Sequence, residues 1–174
     1  MTTKFCTNIV IHARLECVLD VLQDPDSVVG RLTAAQREDP VLKLHSVNDT
    51  LVRSVAAYRI PLSTMPGWMA SKFGSGGPLN ERTEQWTLGP HPFGSVKIHS
   101  DDSGSNFSGT YTLTAQGDTT QWLVEGEVDY PAPFIGKRVE KFTVDSFESG
   151  YELEARFLAV HTKLKLKERC EKLN

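Results

Sequence analysis

Polar side chains on strand-like segments are the first candidates for chemistry in this 174-residue chain. A carboxylate buried in an apolar cavity has a raised pKa and can act as a general base, and Glu84 is the candidate for that role. Glu84 shares a strand face with Arg82, however, and an ion pair is the more common reason for such an arrangement. The other polar residues expected to reach inward are Arg53, Tyr58, Arg59 and Tyr111. The pattern therefore favours an Arg82–Glu84 ion pair over catalysis by Glu84.

The other reactive residue types form no complete motif. His91 and His99 lie eight residues apart, and no Cys or second His stands at zinc-ligand spacing, so we expect neither a metal nor another cofactor. The GSGG segment at 74–77 lacks the Lys-Ser/Thr pair that follows in a phosphate-binding loop, which indicates a flexible loop. No G-x-S-x-G motif occurs, so a serine hydrolase is not expected.

The elements that must position these side chains follow the order β-α-α-β-β-β-β-β-β-α. Alternation predicts a first strand at 3–12, and helical spacing predicts helices at 13–23 and about 25–37, with Asp24 as the N-cap of the second. Three strand pairs follow, each joined by a turn, at 41–47 with 51–60, 79–89 with 93–100, and 106–116 with 119–130. Consecutive hairpins predict an antiparallel meander.

The C-terminal region predicts a strand followed by one long helix. The last strand places its apolar side chains on one face and its carboxylates on the other. Pro131 and Pro133 end this strand, and from about 133 to 168 apolar residues recur at helical spacing. They are Val139, Phe142, Leu153, Phe157, Val160 and Leu164. A helix of about 30 residues is roughly 45 Å long. We therefore expect a curved sheet to wrap around it.

The inward-facing residues predict a cavity between sheet and helix. Its expected walls are Trp86, Phe107, Tyr111 and Trp122 of the strands and Val139, Phe142, Ser146 and Ser149 of the helix. Ser146, Ser149 and Gly150 are small where a filled core favours Leu or Ile, so they leave space. The alternative is that Trp86 and Trp122 fill this space.

The loop at 61–78 contains Met65, Trp68, Met69 and Phe73 at near-helical spacing, and Trp68, Met69 and Phe73 are the candidate lid residues. These side chains could close the cavity as a lid, with the glycines at 74, 76 and 77 as hinges. The alternative is a surface helix that is packed by its apolar face.

Both the order of elements and three short segments resemble the START-like superfamily, also called the helix-grip or polyketide-cyclase-like fold. The segments are MPGWMASK, PLNERTEQW and VEGEVDYPAPFIGKRVE, and they are similar to a bacterial branch with no assigned activity. The resemblance implies an α+β fold in which about seven antiparallel strands curl around the long C-terminal helix. It also implies a hydrophobic cavity for a lipid, polyketide or sterol. It does not imply catalysis, because the superfamily holds both transfer proteins and enzymes.

Composition narrows the class of protein. With 39% hydrophobic residues and a mean hydropathy of -0.30, the chain is expected to be globular, with one domain over 1–174. A net charge of -3 disfavours nucleic acid as a partner, and no apolar run predicts an integral membrane segment. No signal peptide is apparent, and Cys6, Cys17 and Cys170 are expected to be reduced thiols of a cytoplasmic protein. The oligomeric state stays open.

Three hypotheses about function remain. The main one is a carrier or sensor of a small hydrophobic molecule. The second is an enzyme of the cyclase, dehydratase or isomerase kind that uses a carboxylate or tyrosine in the same cavity. The third is a protein-interaction module with the loop around Trp68 as its contact surface, which a filled core with an exposed Trp68 would favour.

Overall fold

A seven-stranded sheet dominates the computed structural model, which describes residues 2–131 and 135–172, without the side chains of Cys170 and Lys172. The sheet is antiparallel throughout, curved and unclosed, with strand order β1-β7-β6-β5-β4-β3-β2. The strands are β1 (Thr2–Ile11), β2 (Glu38–Val47), β3 (Leu51–Arg59), β4 (Leu79–Thr87), β5 (Phe93–Ser100), β6 (Asn106–Gln116) and β7 (Thr119–Asp129). The predicted meander runs from β2 to β7. The pairing of β1 with β7 joins strands that are distant in sequence, and alternation and turn chemistry do not predict it.

Two short helices follow β1, and one long helix follows β7. They are α1 (Leu15–Leu22), α2 (Pro25–Ala34) and α4 (Gly136–Lys172), while a 3-10 turn (Leu62–Thr64) and α3 (Gly67–Ala70) lie between β3 and β4. Asp24 caps α2 by accepting a hydrogen bond from the amide of Asp26 at 3.0 Å, as predicted. The 37 residues of α4 correspond to a length of about 55 Å. The predicted α+β class with one long C-terminal helix is confirmed.

Two predicted boundaries are wrong by several residues. Helix α2 ends at Ala34 and not at 37, because Gln36 has a φ of 59°, in the left-handed region that a helix does not continue through. Strand β2 begins at Glu38 and not at 41, with register shifts that its irregular alternation did not reveal. The predicted start of the long helix, near 133, lies outside the described residues.

A pair of glycines stands where β7 pairs with both of its neighbours. Gly109 and Gly126 face each other across β6 and β7, and Gly126 also pairs with Phe5 of β1. A Cβ atom on either glycine would lie 2.9 Å from the ring of Phe107. Since that ring lies against both backbones, a side chain at either position would displace it.

The buried face of α4 differs from the predicted one. Val160 and Leu164 are 59% and 51% exposed, so their place in the inward stripe is wrong. The buried stripe contains Val139, Glu140, Phe147, Tyr151, Glu154, Ala155, Leu158, Ala159 and Thr162. Helix α4 packs mainly against β1, α1 and α2. Because Glu140 and Glu154 belong to this stripe, a prediction based on apolar residues alone did not find it.

Candidate functional site

Four charged side chains form a buried network between the sheet and α4. Arg31 lies on α2, Arg82 and Glu84 lie on β4, and Glu154 lies on α4. The guanidinium of Arg31 lies 2.6 Å from one oxygen of Glu84 and 3.2 Å from one of Glu154. Arg82 lies 2.5 Å from Glu84 and 2.7 Å from Glu154. The predicted Arg82–Glu84 ion pair is therefore confirmed, within a larger network of two positive and two negative charges.

Two tyrosines extend this network. The hydroxyl of Tyr111 accepts a hydrogen bond from Arg82 Nη2 at 2.9 Å and donates one to Glu84 Oε1 at 3.0 Å. The hydroxyl of Tyr151 lies 2.9 Å from that of Tyr111. Sequence reasoning named Arg82, Glu84 and Tyr111 but missed Arg31, Glu154 and Tyr151. Arg31 and Glu154 were missed because a charged residue on a helix is normally expected to face solvent.

The network holds its groups in fixed protonation states. Burial alone would raise the pKa of Glu84, but the guanidinium groups of Arg31 and Arg82 outweigh it and lower this pKa to about 2. Burial raises the pKa of Tyr111 and Tyr151 above that of an exposed tyrosine. At neutral pH Glu84 is therefore ionised and both tyrosines are protonated. A carboxylate of such low basicity, engaged by two arginines, is unsuited to general-base catalysis.

We expect stability to fall at both extremes of pH. The lowered pKa of Glu84 stabilises the fold above about pH 4.5, and this contribution is lost as the pH falls towards 2. The raised pKa values of Tyr111 and Tyr151 stabilise it below about pH 10, and that contribution is lost at higher pH. Urea titrations at pH 3, 7 and 11 should give the highest midpoint at pH 7. An equal midpoint at pH 3 and 7 would contradict the assigned ionisation of Glu84.

Aromatic side chains fill the space next to the network. Trp86 stacks on Tyr111 with ring centroids 4.7 Å apart, and Trp122 packs edge-on against Tyr111 and Tyr151 at 5.4 Å. Trp86 and Trp122 are 2% and 1% exposed. Around Trp86 and Trp122, therefore, the alternative prediction is correct: the tryptophans fill the space that a cavity would need.

An apolar pocket lies near the start of α4, under the segment between β3 and β4. Its apolar walls include Ile60, Met65, Met69, Ile98, Val128 and Val139, and Phe107, Phe142 and Phe147 contribute aromatic rings. The volume open to the centre of a water-sized molecule is about 30 Å³. One water needs roughly 10–15 Å³ by the same measure, so the pocket as it stands is closed to a larger molecule.

The segment 61–78, which we call the lid segment, closes this pocket. Met65 and Met69 are buried against Val139, with Phe73 and Phe142 partly buried beside them. Trp68, in contrast, is 40% exposed. Helix α3 is thus packed by its apolar face, and the same face forms the roof of the pocket.

The predicted wall residues divide into three groups. Met69, Phe107, Val139, Phe142 and Ser146 line the pocket, whereas Trp86, Tyr111 and Trp122 lie in the filled aromatic region. The expectation that Ser149 faces the sheet is wrong, because Ser149 is exposed and donates a hydrogen bond to the backbone oxygen of Asp145. The inward phase of α4 runs through Phe147 and Tyr151, which turns Ser149 outward. Sequence reasoning missed Met65, Ile98 and Phe147, although alternation along β5 would place Ile98 inward.

Across residues 2–131 and 135–172, no three His, Cys, Asp or Glu side chains are grouped so that they could hold a metal ion. None of the helices within these ranges is both long enough and apolar enough to cross a membrane. Cys6 and Cys17 carry free thiols, and the side chain of Cys170 is not among those that the structure describes.

Solved structures of START-like proteins resemble this one over most of its length. The Zhui aromatase/cyclase from Streptomyces sp. R1128 has a TM-score of 0.63 at 11% identity, covering 95% of this chain and 96% of that chain. For a START superfamily protein from Mycobacterium smegmatis the TM-score is 0.54 at 12% identity, covering 98% and 99%. Human STARD10 has a TM-score of 0.59 at 10% identity, covering 98% and 68%. At such identities the likeness shows the fold alone, and that fold is START-like.

Residues 8–160 match the model of a family described as Protein of unknown function (DUF2505), and the chain belongs to that family. No curated protein matches the sequence. The START-like fold that the resemblance implies is confirmed, and the description of the matching family assigns no function.

Proposed function

We propose that this protein binds a small hydrophobic molecule, such as a lipid or polyketide, as a carrier or sensor. The observation that carries the proposal is the apolar pocket between the sheet, α4 and the lid segment. Structural neighbours of the START-like fold, which include an aromatase/cyclase, support it. The same proposal treats residues 1–174 as a single START-like domain, and a cytoplasmic location stays a prediction.

Binding of a ligand larger than the closed pocket requires that the roof moves. Met65 and Met69 have unbranched side chains that adapt their shape, and methionine-rich surfaces accept varied apolar ligands. A Cβ atom on Gly74 would meet no atom within 4 Å, and one on Gly76 would meet only the end of the Arg59 side chain. At Gly77 a Cβ atom would lie 1.7 Å from the backbone oxygen of Ile60, so the expectation of a hinge at Gly77 is wrong. Outward movement of α3 would open the pocket without disturbing the sheet.

The exposed Trp68 and the filled aromatic region favour a second candidate, a protein-interaction module. The exposed fraction of 40% belongs to a single side chain on a four-residue helix. An interaction site is normally marked by a contiguous patch of a few hundred Å². We therefore place the contact role second and use Trp68 as a control position.

A neutral aromatic probe, 1-naphthalenemethanol, tests the pocket. We expect one-to-one binding to the native protein by calorimetry. Thr143 lines the pocket, and Thr143→Trp should weaken binding about tenfold or more because the indole occupies the probe's volume.

Ser149→Trp is the matched control, because Ser149 stands on the exposed side of the same helix. This control should bind the probe within about twofold of the native protein, since a twofold change is only about 0.4 kcal/mol. Undiminished binding to Thr143→Trp, or weakening by Ser149→Trp alone, would show that the probe binds elsewhere.

A further inference from the structure

A positively charged group without a carboxylate partner lies beside the pocket. Arg37 follows α2, is half-buried, and donates hydrogen bonds to the side-chain and backbone oxygens of Ser146 at 3.2 and 3.3 Å. Its guanidinium carbon lies 5.9 Å from the centre of the Tyr58 ring. No carboxylate in the described part of the chain lies within ion-pair distance of Arg37. By contrast, Arg31 and Arg82 are each balanced by two glutamates.

A glycine in α4 makes room for the Arg37 side chain. A Cβ atom on Gly150 would lie 2.9 Å from Arg37 Nη2. Glycine destabilises the interior of a helix relative to alanine, and here the absence of a side chain leaves room for the guanidinium. The space that the sequence predicts next to Gly150 is thus occupied by the guanidinium of Arg37.

Tyr58 offers a second unengaged polar group. Its side chain is 2% exposed, and its hydroxyl makes no hydrogen bond with any residue that the structure describes. Burial raises the pKa of Tyr58, so this hydroxyl stays protonated and can donate. Tyr58 lines the apolar pocket and also a second void of about 10 Å³ that Arg37 lines. Ile98 and Phe147 also line both spaces. Arg82 and Glu154 line the second void as well, and there they are paired with each other at 2.7 Å.

The polar groups at the opposite end of the pocket are already engaged. Ser103 and Ser105 bond to each other at 2.7 Å, and Asn80 donates to the backbone oxygen of Pro78 at 3.2 Å. Asn106 bonds to His99 and to the backbone oxygen of Gly104. The groups left for a polar part of a bound molecule are the Tyr58 hydroxyl and the Arg37 guanidinium, whose hydrogen bonds to Ser146 are long.

We infer that the pocket takes an apolar monocarboxylic acid, whose carboxylate lies between the Arg37 guanidinium and the Tyr58 hydroxyl. This inference rests on the proposed function and adds the class of ligand to it. The apolar body would lie under Met65 and Met69, and the carboxylate would replace the long hydrogen bonds from Arg37 to Ser146. Arginine binds carboxylates through charge-assisted hydrogen bonds that are stronger than those to a neutral oxygen. Asp145 and Glu152 line the outer groove beside Arg37, and neither pairs with it.

Two probes that share an apolar body test the inference, namely 1-naphthoate and the neutral 1-naphthalenemethanol. At pH 7 the native protein should bind 1-naphthoate about tenfold more tightly than the alcohol. Arg37→Gln should reduce this preference to about twofold or less while leaving the affinity for the alcohol unchanged. Arg37→Lys should retain part of the preference, because the charge remains. Tyr58→Phe should weaken binding of the acid several-fold, by removal of one donor.

Controls separate a loss of recognition from a loss of folding. Arg53→Gln removes an exposed arginine from the strand that carries Tyr58 and should leave both affinities unchanged. Thermal unfolding of each variant checks the fold, and Arg37→Lys keeps the test valid if Arg37→Gln is unstable. An unchanged preference in Arg37→Gln would overturn the inference and leave the proposed function standing. Failure of both probes to bind the native protein would overturn both.

Discussion

Glu84→Gln should lower the free energy of unfolding by about 3–5 kcal/mol, because it leaves a buried guanidinium charge without compensation. Arg31 and Arg82 would then share the single carboxylate of Glu154, in a region where all four side chains are at most 6% exposed. A native domain has about 5–15 kcal/mol of stability in total, so the loss would be large. Urea unfolding at pH 7 measures it.

Glu81→Gln is the matched control for this prediction. Glu81 lies on the same strand but faces solvent, where it pairs with Lys43 at 2.7 Å with about half of each side chain exposed. An exposed pair contributes about 1 kcal/mol or less. The double variant Arg31→Met with Glu84→Gln should lose less stability than the two single changes added together, since it restores charge balance. Equal effects of Glu84→Gln and Glu81→Gln would contradict the buried network.

Trp86→Ala should lower the free energy of unfolding by about 3–5 kcal/mol, because it removes a fully packed indole and leaves a cavity. The stack of Trp86 on Tyr111 and its contact with Trp122, at 6.3 Å between ring centroids, would both be lost. Trp68→Ala makes the same chemical change at an exposed position and should have an effect of about 1 kcal/mol or less. Urea unfolding followed by circular dichroism compares the two.

The effect of Trp86→Ala also distinguishes a filled aromatic core from an open cavity. If Trp86 lined an open cavity and not a filled core, its removal would have little effect on stability. A loss of less than about 1 kcal/mol in Trp86→Ala would therefore contradict the packing described for that region.

Period-two alternation predicted the sheet well because each strand buries one face. Alternation predicted the first strand, and in β1 the alternating residues Phe5, Thr7, Ile9 and Ile11 are all buried. The hairpin of β6 and β7 was placed correctly because Gly117, with a φ of 63°, marks its turn. Local signals of this kind need no knowledge of distant residues.

The phase of α4 and the partners of the network could not be predicted in this way. Glu140 and Glu154 are buried through partners that are distant in sequence, namely Thr3, Arg31 and Arg82. A buried face chosen from apolar residues alone excludes both glutamates and is rotated about the helix axis relative to the observed face. Ser149 was therefore placed on the buried side, although it is exposed. The location of the pocket was predicted only in part. Val139, Phe142 and Ser146 line it as expected, but the contributions of Phe147 and Met65 were not foreseen.

Methyl resonances of Met65 and Met69 give the most direct test of the pocket. The chain has three methionines, so the methyl signals are few, and Met65→Leu and Met69→Leu assign them. During the titration with 1-naphthalenemethanol, both signals should shift and saturate at one equivalent, with nuclear Overhauser contacts from each methyl group to the naphthalene ring. In Thr143→Trp the shifts should be lost, and in Ser149→Trp they should persist. Binding of the probe without any change at Met65 and Met69 would contradict a ligand pocket beneath the lid segment.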